Sequence, residues 1–311
     1  MDMDCIEIER RLAIGFNEQL SVAARHRLVK SGLSLEELAG TEDGFRPYIR
    51  ETRDVIHWLS RSPDHSIIWF GESDFPSFNP LRAHLPYMIM CSGKRPEPGR
   101  MCAAIVGTRH ATYAALQEAF RLGMEATENG LAVISGFAEG IDQSGMTGAL
   151  KGQGPCIGVL ACGHDVEYPC LTTDMRRRIV DMGGCVLSRF APNTPSYKSN
   201  FISRNMMIAA YGSFTIAVQA PAKSGTLSTC DFTVQMGKEV FVGSQGVGDR
   251  FVQAGTTAMF NDGTKAIGSL LEIDFPDRLP GFRVVECRDP SDGPNVRFGD
   301  RYYVVTERLS C

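Results

Sequence analysis

What this sequence lacks narrows its chemistry first. No apolar run approaches the roughly 18 residues that a membrane-spanning helix needs. The opening Met1-Asp-Met-Asp-Cys-Ile-Glu7 is acidic and has neither the basic nor the apolar region of a secretory signal, so a cytoplasmic setting is expected. The ten cysteines contain no Cys-x-x-Cys pair and, in a reducing compartment, read as small buried hydrophobes. Cys162-Gly-His164 with Cys170 matches no zinc spacing and has no fourth ligand nearby, so no metal is expected. Paired carboxylates, a Gly-x-Ser-x-Gly elbow, His-Glu-x-x-His and the Walker A order are all missing. No catalytic set and no cofactor are expected, and the protein reads as a non-enzyme.

Negative charge is also missing, but only locally. From Met182 to Cys230, 49 consecutive residues hold no Asp or Glu, whereas Arg189, Lys198, Arg204 and Lys223 are present. With 36 acids in 311 residues, about six would fall there by proportion. A basic stretch on a chain of net charge −4 is an electrostatic footprint for a phosphate or a polyanion. A half-buried segment with few charges would also explain the missing acids, but not why every remaining charge is basic.

Composition is that of a globular chain, 43% hydrophobic and 22% charged. Residues 1–65 read as a helical N-terminal region, with helices at 18–30, 34–39 and 54–59. Residues 66–100 add two strands, 66–70 and 87–91, and a Pro/Gly linker at 94–99. From residue 102, strands at 102–106, 131–135, 156–161, 185–188, 214–219 and 239–243 alternate with helices at 112–128, 142–151, 172–182, 204–210, 226–236 and 263–270. Mostly continuous apolar strands imply a parallel sheet covered on both faces. The expectation is an α/β fold with a doubly wound, mostly parallel sheet in a core spanning 66–275, followed by a tail, 276–311, without an assigned structure.

A pair of adjacent strand-to-helix joints and two further segments carry the chemistry. Val133-Ile-Ser-Gly-Phe-Ala-Glu-Gly-Ile-Asp142 and Ala103-Ala-Ile-Val-Gly-Thr-Arg109 should lie side by side at the carboxyl edge of the sheet, where such folds bind ligands. There glycines such as Gly136 let backbone approach a ligand, and the helix start behind them offers N–H groups to an anion. Beyond that pair, Lys223-Ser224-Gly225-Thr226 opens a helix with a cation, hydroxyls and a glycine, which suits a phosphate. A lone hydroxyl there is usually an N-cap, but lysine and glycine beside it favour the anion. The last segment runs from Lys198 to Asn205. Lys198 and Arg204 supply charge, and Asn200 and Asn205 can bond a phosphate, a base edge or a carbonyl. Phe201 could stack on a base, although the ordinary place of an aromatic is the core.

These segments together resemble the DNA-processing protein A (DprA/Smf) family. The matching residues are Ile105-Val-Gly-Thr-Arg109, Ser135-Gly136 with Ala138 and Gly140-Ile-Asp142, and Cys162-Gly-His-Asp-Val-Glu-Tyr-Pro169. Asn200-Phe201, Arg204-Asn205, Ser224-Gly-Thr-Leu-Ser-Thr229, Gly237-Lys-Glu-Val-Phe241 and Gly255-Thr-Thr-Ala-Met-Phe-Asn-Asp-Gly263 follow in order, with Asp74-Phe-Pro76 upstream. The resemblance implies an extended Rossmann-like fold that binds single-stranded DNA without cleaving it. It also implies a homodimer that delivers strands to a RecA-type recombinase in natural transformation and recombination. Carried over, Arg109, Lys198, Arg204 and Lys223 would hold phosphates, with Ser135, Asn200, Asn205, Ser224 and Thr226 as hydrogen-bonding groups. Asp142 and Asp165 would orient their own loops.

The chain departs from the family at Glu139, Ser203 and Met206, where relatives are basic, and at Gly243-Ser244-Gln245, where they place glycine-proline. An alternative reading is a nucleotide sensor or nucleotide-processing enzyme of the related phosphoribohydrolase-like group. There a glutamate follows the Gly-Thr turn, whereas this chain has hydroxyls in Gly225-Thr-Leu-Ser-Thr229. A third is a partner-binding scaffold without a ligand.

Overall fold

The computed structural model describes residues 5–40, 45, 48–76 and 86–273, and beyond them residues 278–279, 282–287, 295–298 and 301–308. Four helices come first: α1 (Cys5–Phe16), α2 (Val22–Ser31), α3 (Leu35–Ala39) and α4 (Ile49–Ser60). Ser34 caps α3 in a capping box with Glu37, as its sequence position suggests. Next are β1 (His65–Trp69), β2 (Met88–Gly93), β3 (Cys102–Val106), α5 (Tyr113–Glu128), β4 (Ala132–Ser135), α6 (Ile141–Lys151) and β5 (Cys156–Val159). The alternation continues through α7 (Thr173–Asp181), β6 (Cys185–Ser188), α8 (Lys198–Tyr211), β7 (Phe214–Ala217), α9 (Gly225–Gln235), β8 (Val240–Gly243), α10 (Ala254–Asn261) and β9 (Ala266–Ile267).

These strands form one nine-stranded sheet in the order β1-β2-β6-β5-β4-β3-β7-β8-β9. Every pair from β6 to β9 is parallel, and β2 runs antiparallel to both β1 and β6. Alternation along each strand feeds two cores. Ala103 and Ile105 of β3 face α5, α6 and α7, whereas Cys102, Ala104 and Val106 face α8 and α9. The chain leaves β3 in one direction through β4, β5 and β6, then crosses back to β7 on the other side of β3. That reversal is the topological switch point, and it places the loops after β3 and β7 on either side of one crevice.

Two expectations are corrected. The helix expected at 263–270 is absent: the chain turns into β9 there, and the helix lies earlier as α10. Gly255, Thr256 and Thr257 are weak helix formers, which conceals α10 in the sequence. The helix expected at 204–210 begins six residues sooner, so Lys198 and Asn200 lie in its first turn. The tail left without structure contains β10 (Arg278–Leu279), β11 (Phe282–Cys287), β12 (Asn295–Phe298) and β13 (Arg301–Arg308), an antiparallel sheet in the order β10-β11-β13-β12.

The cysteines behave as small hydrophobes at 91, 102, 156, 162, 185 and 230, all buried; among the described ones Cys170 is the exception. The N-terminal helices pack on the β1–β2 edge through Leu12, Val55 and Trp58 against Ile67, Trp69 and Met88. They also reach the loops after β5 and β6. Arg61 pairs with Asp165 at 2.5 Å, Glu18 pairs with Arg189, and the His164 ring stacks on Trp58 at 4.7 Å.

Burial lowers the His164 pKa from 6.5 to about 3, against a weaker opposite pull from the Met90 carbonyl. The unfolded chain therefore binds this proton more readily than the fold. The stability contribution is complete above pH 6.5 and falls between pH 6.5 and 3, by up to about 1.4 kcal/mol per pH unit. Urea unfolding at pH 7 and pH 5 should show a smaller loss in His164→Phe, which keeps a ring on Trp58 but does not titrate. Equal losses in both proteins would refute this assignment.

Candidate nucleic-acid interface

Asp142, in the first turn of α6, ties the crevice together from beneath. Its carboxylate accepts the N–H of Gly107 at 3.3 Å and of Gly136 at 3.1 Å, joining the loops after β3 and β4. It also pairs with Arg204 of α8 at 3.3 Å, and both side chains are buried. Burial pushes the Asp142 carboxyl up, and Arg204 and the backbone donors pull it down. Burial pushes the Arg204 guanidinium down, with Asp142 opposing.

The glycines here accommodate the protein's own groups. A Cβ on Gly136 would lie 1.1 Å from Arg204 Nη1, so the space expected to admit a ligand is filled by that guanidinium. Gly140 has φ +85°, and a Cβ there would come within 2.5 Å of the Thr108 carbonyl. The start of α6 is likewise engaged, with the N–H groups of Ile141 and Gln143 donating to Thr108 and Ala138.

Above this floor is a cavity of about 370 Å³ bordered by Gly107, Arg109, Phe201, Asn205, Gly225 and Thr226. Arg109 is exposed and donates to the Tyr168 hydroxyl at 3.4 Å. The Phe201 ring is half-buried at the rim rather than within the core. It has the Arg109 and Arg204 guanidinium carbons 5.9 and 5.8 Å from its centroid and Tyr168 edge-on at 5.6 Å. Lys198 and Lys223 are exposed at the starts of α8 and α9, so the accessible cations near the crevice include Arg109, Lys198 and Lys223.

Most of the remaining candidates are engaged in the protein's own hydrogen bonds. Ser135 is fully buried and its hydroxyl donates to the Ile105 carbonyl at 2.6 Å. Asn200 is buried and donates to Pro195, whereas Asn205 donates to the Gly225 carbonyl at 3.0 Å and so fixes α8 to the start of α9. Ser224 is the N-cap of α9, its hydroxyl accepting the Thr226 N–H at 3.1 Å, and the Thr226 side chain is buried. Gly225 is exposed at the helix start. Glu139 is also exposed. Among the described residues no cluster of three His, Cys, Asp or Glu could hold a metal ion.

Sequence reasoning missed Tyr168 as a wall of this site. It also missed Gln219, fully buried, which accepts the Thr112 N–H at 2.8 Å and donates to the Gln245 carbonyl at 3.1 Å. Gln219 thus links the loops after β3, β7 and β8. Its one sequence signal is a polar amide ending the apolar run of β7. The Ser244-Gln245 departure is anchored by buried Glu118, which accepts from both residues; burial raises the Glu118 carboxyl, and these hydrogen bonds lower it.

The fold and this rim define an α/β protein with a cationic, aromatic-edged crevice at the switch point of its sheet. The chain belongs to the family described as DNA recombination-mediator protein A, whose model matches residues 66–273. It is 32% identical over 239 residues to the DNA processing protein DprA of Bacillus subtilis, covering 76% of this chain and 73% of that protein. It is 28% identical over 285 residues to the protein Smf of Synechocystis, covering 86% of this chain and 69% of that one. The X-ray structure of DprA from Streptococcus pneumoniae shares the fold at TM-score 0.68 and 24% identity, covering 89% of this chain and 100% of that one. A Helicobacter pylori DNA processing protein A, solved to describe its single-stranded DNA binding mode, matches at TM-score 0.53 and 25% identity over 65% of this chain and 90% of that one. No helix among the described residues is long and apolar enough to cross a membrane.

Proposed function

We propose that this protein binds single-stranded DNA at the carboxyl edge of its sheet and does not cleave it. The observation that carries the reading is the rim, where exposed Arg109 lies 5.9 Å from the half-buried Phe201 ring and exposed Lys198 and Lys223 stand at the starts of α8 and α9. Cations beside an aromatic suit a strand that offers phosphates and unpaired base faces. The Helicobacter relative, described as binding single-stranded DNA, supports the ligand class. The reading places Arg109, Lys198 and Lys223 on phosphates, Phe201 on a base, and Asp142, Arg204, Asn205 and Ser135 in the frame that positions them. We assign the binding role to the core, 66–275, with the helical region 1–65 bracing one end of its carboxyl edge and 276–311 as a separate unit. Following the family, the wider reading is a cytoplasmic homodimer that passes strands to a RecA-type recombinase during DNA uptake, natural transformation and recombination.

The test is binding of a labelled oligothymidylate at about 50 and 200 mM salt. Saturable binding that weakens steeply with salt is the expected result. A saturable thermal shift with mononucleotides, and none with the oligonucleotide, would instead support a nucleotide sensor.

A further inference from the structure

The loop after β5, residues 163–172, presents a strained and exposed leucine two residues before α7. Leu171 has φ +62°, in the left-handed region that disfavours residues carrying a Cβ. Its side chain is 91% exposed, so burial does not offset the strain. The loop around it is firmly built. Arg176 donates to the carbonyls of His164, Val166 and Tyr168 at 3.3, 3.0 and 2.9 Å, and its guanidinium rests 5.6 Å over the Phe137 ring. Buried Thr172 donates through its hydroxyl to the Pro169 carbonyl at 2.8 Å.

A braced loop therefore holds an apolar tip in water, at a position where asparagine or glycine would suit the backbone better. Strain of this kind points from the outlier toward a function. The same loop forms one wall of the crevice, because Tyr168, three residues earlier, touches both Arg109 and Phe201.

We propose that Leu171 packs against the faces of unpaired bases in a strand lying along the rim. The inference rests on the single-strand reading above and adds a base-packing residue on the side of the crevice formed by the loop after β5. Unpaired bases expose apolar faces that such a tip can cover, whereas in a duplex these faces are already stacked. Packing of this kind favours single strands over duplex without reading sequence.

The experiment compares the full chain with Leu171→Asn and Leu171→Met, using an oligothymidylate of about 12 nucleotides. Leu171→Asn should raise Tm by relieving the strain, yet weaken binding about fivefold, as removal of one partly buried leucine would. The slope of log K against log salt should stay unchanged, since every cation facing a phosphate is still in place. Leu171→Met should retain the affinity, and an abasic oligomer of equal length should bind the unsubstituted protein and Leu171→Asn alike.

Failure of the unsubstituted protein to bind the oligothymidylate overturns the single-strand reading and this inference together. Normal binding by Leu171→Asn overturns this inference alone. So does weakened binding accompanied by a lowered Tm, an altered salt slope or an equally weakened grip on the abasic oligomer, because each points to the loop or to the DNA backbone rather than to bases.

Discussion

Replacing Arg204 with alanine is expected to destabilise the fold by about 3–5 kcal/mol, a large part of the 5–15 kcal/mol that holds a typical domain together. The cause is the carboxylate left behind. Asp142 is 3% exposed, and Arg204 is its ion-pair partner among the described residues. Without that partner, burial would raise the Asp142 carboxyl further above its ordinary 3.8 than in the intact pair. An acid with a raised folded-state pKa lowers stability as pH climbs from the unfolded value through the folded one. The deficit should therefore be larger at pH 8 than at pH 5, where Asp142 can take up a proton. Adding Asp142→Asn should recover part of it by removing the unpaired charge. Urea unfolding followed by tryptophan fluorescence at the two pH values measures all three effects. An unchanged midpoint with abolished oligonucleotide binding would instead return Arg204 to the phosphate-holding role that its sequence position suggests.

The triple variant Arg109→Ala, Lys198→Ala, Lys223→Ala should do the opposite, abolishing tight binding and leaving the unfolding midpoint nearly unchanged. All three side chains are exposed, and surface substitutions of this kind seldom disturb a fold. Each cation removed from the phosphates of a single strand lowers the slope of log K against log salt by about 0.7, so three should remove about 2. At low salt the affinity should fall about a hundredfold, since alanine offers no substitute for a charge-assisted hydrogen bond to phosphate. Fluorescence anisotropy across a salt series gives both quantities. A full-sized slope in the triple variant would place the phosphates elsewhere on the molecule.

The two expectations differ because burial separates residues that look alike in the sequence. Lys198 and Arg204 lie six positions apart in the same acid-free stretch, and both read as cations for a polyanion. The early start of α8 turns Lys198 outward at the first turn and Arg204 inward to Asp142. No local pattern shows this, because the partner is 62 residues away and the space it needs is a missing Cβ at Gly136. Ser135 is a similar case, since a serine ending an apolar strand looks available until β3 is seen to supply a carbonyl for it. Phe201 errs in the other direction, an aromatic expected in the core and found at the rim.

The apolar runs of β3 to β8 were readable in the sequence because strands covered on both faces need continuous hydrophobicity, and their turns need glycine or small polar residues. Those runs, with the ordered motifs between them, were enough to establish the α/β class and the family, and they pointed to the sheet edge proposed above for the ligand. Tertiary structure alone decided which charges at that edge face solvent and which hold the loops together. A side chain's availability depends on partners supplied by strands and helices distant in the chain. In this protein the pairing of Asp142 with Arg204 over Gly136 divides the accessible rim cations from the frame that positions them.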